Sequence, residues 1–226
     1  MTVNGGTASR VAFVSGARLP GWVERFTASH GEVRQEELDG GLRLRAADGA
    51  VALLQPPWPV DGRPGRGGDA VSRLASLAGQ PRSIGAVLVR RGGYSVAVVS
   101  GGAVLASKTG TRHVQSRTAA GGWSQQRFAR RRANQADALV EAVAEHAGRI
   151  FAGQRIEYVA PGGDRTLAEL VLAEPVLKAY AALARLPFLD VPDPRATVLK
   201  KAAAELCSVR ILVTDPPAGP GTPGPD

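Results

Sequence analysis

The chain has 226 residues, 44% of them hydrophobic, and a net charge of +8, which is compatible with one or two domains that each have a proper core. Its single cysteine, Cys207, excludes a disulfide framework and any metal site built from several cysteines. No apolar run approaches the roughly 20 residues that cross a bilayer, and the residues after Met1 lack the pattern of a secretion signal. We therefore expect a cytoplasmic protein with no membrane contact.

Residues 1–68 are predicted to form a small N-terminal α+β unit that ends in a linker. Its predicted strands lie at residues 10–15, 42–47 and 50–55, and its predicted helix lies at residues 20–30. Trp22, Phe26 and Ala28 are expected on the buried face of that helix. Four prolines and four glycines in residues 55–68 place the domain boundary there, because no helix or central strand tolerates them.

Residues 69–214 are predicted to form the main domain. After a short helix, valine-rich runs are separated by Gly-Gly pairs at 92–93 and 101–102, a spacing typical of an antiparallel meander. Apolar residues then recur every three or four positions and predict a long amphipathic helix at 124–148. A fourth meander strand is predicted at residues 111–116. Three later strands are predicted at 155–161, 187–191 and 209–215, and two helices at 166–186 and 194–207. The tail 215–226 is predicted to be disordered.

Positive charge is concentrated in one part of this domain. The total charge is weakly informative, since 24 of the 28 basic residues are arginine, which codon bias in a GC-rich genome could produce. Between Asp69 and Asp137, however, 67 residues include 11 Lys or Arg and no Asp or Glu. This interval predicts a positively charged surface that binds a phosphate backbone. The alternative is a solvated face whose charges only keep the protein soluble.

The order of these elements predicts a fold class and excludes several chemistries. A meander followed by alternating helices and strands is the order of ribonuclease-H-like folds, so we predict an α/β (α+β) fold with a mixed sheet flanked by helices. Nucleases of that fold hold two metal ions with acidic residues that begin on the first strand, whereas the strand IGAVLVRR has none. The chain also lacks a Walker loop, a dinucleotide fingerprint and the His/Cys spacing of a zinc site. We expect neither a metal nor a cofactor.

The stretch AGGWSQQRFARRR, residues 120–132, joins two glycines to an arginine-rich helix. Gly121 and Gly122 let the backbone approach another molecule closely, and the first turn of the following helix attracts phosphate or a developing oxyanion. Arginines at this end oppose the helix dipole, a cost that is offset if they meet RNA. Residues 122–126 begin like a Gly-x-Ser-x-Gly nucleophile elbow but lack its last glycine, which disfavours a serine hydrolase.

The longer stretch GGWSQQRFARRRANQ resembles the catalytic loop and following helix of the middle domain of eukaryotic and archaeal class I peptide release factors. It is still more similar to the Vms-like release factor (VLRF) family, peptidyl-tRNA hydrolases of ribosome-associated quality control in which the glutamine is shifted and follows a serine. The resemblance covers residues 82–214, and the predicted strand order agrees with the family's domain. Trp123 stands where the release factor glutamine would be, which makes Gln125 the catalytic candidate and Gln126 the second.

The resemblance implies hydrolysis of the ester at the 3′ end of a peptidyl-tRNA, with the loop inserted into the peptidyl transferase centre of the large ribosomal subunit. The protein would supply no nucleophile. The catalytic set would be Gln125, Gln126, Gly121, Gly122 and Ser124. The residues expected to bind RNA are Arg117, Trp123, Arg127, Arg130, Arg131 and Arg132. For Trp123 the alternative is an indole that plugs the surface of the domain. We expect a monomer whose partners are ribosomal RNA of that subunit and peptidyl-tRNA.

Two other functions remain open on the same residues. One is a module that binds the ribosome or tRNA without chemistry. The other is an endonuclease that cuts a tRNA near its acceptor end. Residues 1–68 lie outside the resemblance, and ribosome docking is the role we expect for them.

Overall fold

The structure, a computed structural model, describes residues 9–59, 61–111 and 124–216, and of residues 124–133 it describes the backbone only. The chain forms two compact units, one of Met1–Gln80 with Cys207–Asp226 and one of Pro81–Leu206. Each unit contains a five-stranded sheet with helices beside it, so the predicted mixed α/β class is confirmed. The finer ribonuclease-H-like assignment remains a prediction.

The helices and strands follow in chain order. The first unit contributes β1 (Ser9–Ser15), α1 (Leu19–His30), β2 (Val33–Leu38), β3 (Gly41–Ala46), β4 (Val51–Gln55) and α2 (Ala70–Ala78). The second contributes β5 (Ser83–Arg90), β6 (Gly93–Ser100), β7 (Ala103–Thr111), α3 (Ser124–Phe151), β8 (Tyr158–Gly163), α4 (Arg165–Ala173), α5 (Lys178–Ala181), β9 (Ala184–Arg185) and α6 (Ala196–Leu206). The chain then returns to the first unit in β10 (Ser208–Thr214).

The first sheet is antiparallel throughout, in the order β1-β10-β4-β3-β2. Successive side chains of a strand point to opposite faces, and one face of this sheet packs on α1 and α2. The core on that face includes Leu44 of β3, Ile211 of β10, Phe26 of α1 and Leu74 of α2. The helix predicted after Asp69 is confirmed, and the Asp69 carboxylate accepts a hydrogen bond from the Ser72 backbone N–H at 2.9 Å.

Two details of the first unit differ from the prediction. Ala28 is exposed, because it follows Phe26 by two residues and therefore lies about 200° away around the helix axis. Strand β2 was missed because its sequence, VRQEEL, has four exposed side chains between the half-buried Val33 and Leu38. Its pairing with β3 places Arg34 opposite Arg45 and Glu36 opposite Arg43.

The second sheet has the order β7-β6-β5-β8-β9. Strands β5, β6 and β7 form the predicted antiparallel meander, while β8 pairs parallel to β5 and β9 parallel to β8. Val87 and Val96 belong to one core with residues of α3 and α4. On the opposite face, the Ser95 hydroxyl donates a hydrogen bond to the carbonyl of Pro194, just before α6. Helices therefore cover both faces of this sheet, which explains why β5 and β6 are apolar along most of their length.

Two predicted helices of the second unit have the wrong ends. The helix predicted at 166–186 stops at Ala173, since Pro175 begins a short 3-10 helix and cannot donate a backbone hydrogen bond. The long helix runs past the predicted stop, Gly148, to Phe151, whose ring is fully buried. A Cβ atom at Gly148 would lie 2.8 Å from Cγ2 of Val176, so this glycine allows close packing instead of ending the helix.

The last predicted strands are placed differently from the prediction. The run 187–191 forms no full strand and contributes an isolated bridge between Leu189 and Gly162. The strand predicted at 209–215 is confirmed as β10, which pairs with β1 and β4 in the first sheet. The division into parts at 1–68, 69–214 and 215–226 remains a prediction, and the compact units divide after Gln80 and after Leu206.

Candidate functional site

The predicted catalytic loop lies outside the described residues. Arg117, Gly121, Gly122 and Trp123 belong to residues 112–123, as does the fourth meander strand beyond Thr111. The other site residues belong to the first turns of α3, where only the helical backbone is described: Ser124, Gln125, Gln126, Arg127, Arg130, Arg131 and Arg132. Their proposed roles therefore remain predictions, while the frame that holds them is described.

Helix α3 provides a long support for this site. It has 28 residues and is thus about 42 Å long at 1.5 Å per residue. Among the side chains of α3 that the structure describes, those in the core run from Ala136 to Phe151. Ser124 precedes Ala136 by 12 residues, or about 18 Å along the axis. Gln125, in the first turn, is thus attached rigidly through the helix to a buried anchor well behind it.

The loop leaves the sheet at a defined end. Thr111, the last residue of β7, pairs with Gly93, which follows the turn after β5. Val89, near the carboxyl end of β5, pairs with Gly163 at the carboxyl end of β8. Residues 112–123 therefore begin at the end of the sheet where two parallel strands terminate, and open α/β sheets bind ligands at that end.

Two of the described acidic residues at this end are already engaged. Asp190 accepts a hydrogen bond from Nη2 of Arg90 at 3.0 Å, and the Arg90 Nε–H donates to the Val191 carbonyl. Asp164 caps α4 by accepting a hydrogen bond from the Leu167 N–H at 3.1 Å. Within the described ranges, no group of three or more His, Cys, Asp or Glu side chains could hold a metal ion.

The predicted one-signed surface is only partly correct. Three arginines of the acid-free interval pair with acids from elsewhere in the chain: Arg73 with Glu37, Arg82 with Glu157, and Arg90 with Asp190. Separation in sequence did not prevent contact in space. Arg91 and Lys108 are exposed and form no ion pair with the residues that the structure describes. The prediction of free positive charge now concerns these two residues and Arg112, Arg117, Arg127, Arg130, Arg131 and Arg132.

Arg82 is the most unusual of the paired arginines because its side chain is fully buried. Its Nη1 atom lies 3.4 Å from the Glu157 carboxylate and 3.3 Å from the Tyr158 hydroxyl, and its guanidinium stands over the Tyr158 ring. A buried charge requires such partners. Arg82 therefore joins the start of β5 to the start of β8 and is not free to bind phosphate.

A histidine on α3 has surroundings that favour its neutral form. His146 stacks on Tyr94, with ring centroids 5.5 Å apart, and its Nδ1 accepts a hydrogen bond from Nη2 of Arg149 at 2.8 Å. An Nδ1 atom that accepts cannot carry a proton. Burial first, and then the positive charges of Arg149 and Lys108, lower the pKa of His146, which the Glu145 carboxylate partly opposes.

We expect His146 to titrate below its ordinary value of 6.5, measured by the pH dependence of its ring NMR signals. Because its folded-state pKa is lowered, the unfolded chain binds this proton more readily, and stability falls as the pH drops from 6.5 through the folded midpoint. Lys108→Gln should raise the midpoint slightly. Arg149→Gln should raise it more, and a midpoint at or above 6.5 in the unchanged chain would contradict this account.

The class of protein follows from a comparison with known protein families. Residues 82–212 match the family described as Actinobacteria/chloroflexi VLRF1 release factor, and this match covers more than half of the chain. The chain therefore belongs to the VLRF1 class of release factor proteins, a class that acts in translation. More narrowly, it belongs to the Actinobacteria/chloroflexi VLRF1 release factor family. The resemblance carried by GGWSQQRFARRRANQ is confirmed at the level of the family.

Two further findings are negative. No curated protein matches the chain. Among the helices in the described part of the chain, none is long and apolar enough to cross a bilayer.

Proposed function

We propose that this protein hydrolyses the ester bond of a peptidyl-tRNA held on a stalled large ribosomal subunit. The observation that carries the proposal is the match to a release factor family over residues 82–212, which includes the whole Gly-Gly loop and the start of α3. A release factor function requires an element that reaches the ester, and this loop with its rigid helix is the part of the chain suited to that task.

The proposed chemistry needs only one amide from the protein. The Gln125 side chain or backbone amide positions a water molecule against the ester carbonyl and stabilises the negative charge that develops there. The first turn of α3 has backbone N–H groups without partners within the helix, and these carry a partial positive charge that adds to the effect. Gln126 is the second candidate for the same role. Ribosomal RNA and the terminal hydroxyl of the tRNA supply the rest of the environment.

The proposed RNA contacts surround this amide. Arg127, Arg130 and Arg131 follow at helical spacing on α3, and Trp123 offers an indole face on which a base can stack. Because Arg73, Arg82 and Arg90 pair with acids, the phosphate contacts that we propose for this interval fall to the arginines of the loop and of α3. They would hold ribosomal RNA phosphates while Gln125 reaches the ester.

The test is a peptide-release assay on large subunits that carry a labelled peptidyl-tRNA. We expect free peptide and a tRNA whose 3′-terminal CCA is intact, with release faster on the split subunit than on whole ribosomes or on free peptidyl-tRNA. Puromycin, which accepts the peptide from accessible subunits, serves as the control for the substrate. A truncated tRNA 3′ end would identify an endonuclease, and binding without release would identify a non-catalytic module, and either result would overturn the proposal.

A further inference from the structure

The first sheet has one face that no helix in the described part of its own unit covers. In β1, Ala12 and Val14 pack towards the core with α1 and α2, so Val11 and Phe13 point to the opposite face. That face remains open to solvent, with Val11 exposed by 47% and Phe13 by 42%. Neighbouring apolar side chains on an open sheet face can mark a site that binds a partner.

The strand register places a defined set of side chains beside these two residues. Phe13 lies opposite Arg210, which lies opposite Gln55. Val11 lies opposite Leu212, and this row continues through Leu53 and Arg43 to Glu36. A third row runs from Thr214 through Val51 and Arg45 to Arg34. We call this surface the open face and define it by Val11, Phe13, Arg34, Glu36, Arg43, Arg45, Val51, Leu53, Gln55, Arg210, Leu212 and Thr214.

The open face combines an apolar centre with positive charge. Four arginines and one glutamate give it a net charge of +3. Arg43 and Arg45 share Glu36, at 2.9 and 3.8 Å, and Arg210 is hydrogen-bonded to the uncharged Gln55 at 2.7 Å. One shared carboxylate cannot neutralise this set, and exposed ion pairs of this kind are weak enough to exchange for phosphate.

We propose that the open face binds single-stranded RNA, with a base stacked on Phe13 and the backbone phosphates along the arginines. An exposed aromatic ring offers any base a π-face, and arginines beside it bind the polyanion, which is how sheet surfaces bind single strands. The excess of arginine favours a polyanion over a protein partner. This proposal depends on the first unit alone and not on ester hydrolysis.

Binding is measured with the full chain by fluorescence anisotropy of a labelled oligouridine of about 12 nucleotides, a length within known site sizes, at several salt concentrations. Phe13→Ala should weaken binding about tenfold and leave the salt dependence unchanged, because stacking carries no charge. Phe13→Tyr should retain the parent affinity. Arg34→Gln with Arg45→Gln should flatten the slope of log K against log salt by about 1.4, because each phosphate of a single strand that a protein cation neutralises contributes about 0.7 to that slope.

Two matched controls show whether the effect belongs to this face. Arg10→Gln removes an exposed arginine from β1 that is paired with Asp215 and points to the other side of the strand. Leu105→Ala shortens a more exposed apolar side chain on the second sheet. Both should change the affinity less than twofold. Since all these positions are exposed, circular dichroism and thermal unfolding should match the parent.

The position of the bound RNA gives an independent readout, which is needed because the arginines of the loop and α3 are also proposed to bind RNA. A photo-crosslinking phenylalanine analogue at position 13 should capture the oligouridine, whereas the same analogue at position 105 should not. Equal loss of affinity in the controls, no loss in the face variants, or tighter binding of a duplex of the same length would each overturn the proposal. If all variants of the open face bind RNA like the parent, a protein partner becomes the candidate ligand of this face. Peptide release is measured separately, so a chain that fails to hydrolyse the ester still tests this surface.

Discussion

Replacing Gln125 by alanine is expected to lower the rate of peptide release by about 100-fold, the typical effect of removing one preorganised donor to a developing oxyanion. The substitution keeps the helical backbone, since alanine is the residue most favourable in a helix. The α3 anchor between Ala136 and Phe151 is also untouched. The loss should therefore lie in the chemical step and leave binding to the large subunit unchanged. Single-turnover release at saturating protein measures it directly.

Two further glutamines make this prediction specific. Gln126→Ala should have a smaller effect than Gln125→Ala if Gln125 carries the amide, and the order reverses if Gln126 does. Gln154→Ala changes an exposed glutamine just beyond the other end of α3 and should release peptide at the parent rate. Parent-like release by the Gln125 and Gln126 variants would remove the side-chain amides from the mechanism and leave a backbone amide, a binding role or another catalytic residue.

Local patterns in the sequence predicted much of the fold. The meander of β5 to β7 was predicted from valine-rich runs between Gly-Gly pairs. Both five-stranded sheets contain strands that were recognised in the sequence as apolar runs. The sequence alone could have corrected the end of the helix predicted at 166–186. Pro175 lies inside that range, and a proline interrupts a helix. Strand β2 had no such pattern, since its stability comes from pairing with β3.

The pairing of strands that lie far apart in the chain could not be predicted from the sequence. Nothing local in β10 indicates that Ile211 lies opposite Leu54, more than 150 residues earlier, or that Phe13 lies opposite Arg210. For the same reason the acid-free interval overstated the free positive charge, because Arg82 and Glu157 meet only through the pairing of β5 with β8. The candidate loop residues were proposed from a motif, which depends on neighbouring residues alone, and their roles remain a prediction.

The anchor of α3 leads to the second large effect. Phe151 is fully buried and makes an edge contact with Tyr180, with centroids 5.2 Å apart. Phe151→Ala should lower the free energy of unfolding by about 3–5 kcal/mol, because burial of the ring is removed and a cavity remains. Chemical denaturation followed by circular dichroism measures it. Phe151→Leu, which keeps most of the volume, should cost clearly less, and equal costs would contradict a packing role.

The Phe151 ring also packs against Gly85, a residue without a side chain. A Cβ atom at Gly85 would lie 2.8 Å from Cζ of Phe151, so Gly85→Ala forces a methyl group against a buried ring and should cost about 1–3 kcal/mol. Gly68→Ala is the control, since a Cβ there meets nothing within 4 Å. In the Phe151→Ala chain, the methyl group of Gly85→Ala enters the cavity instead of a ring. The double variant should therefore be more stable than the two single costs predict, and strict additivity would show that the glycine and the ring do not share this space.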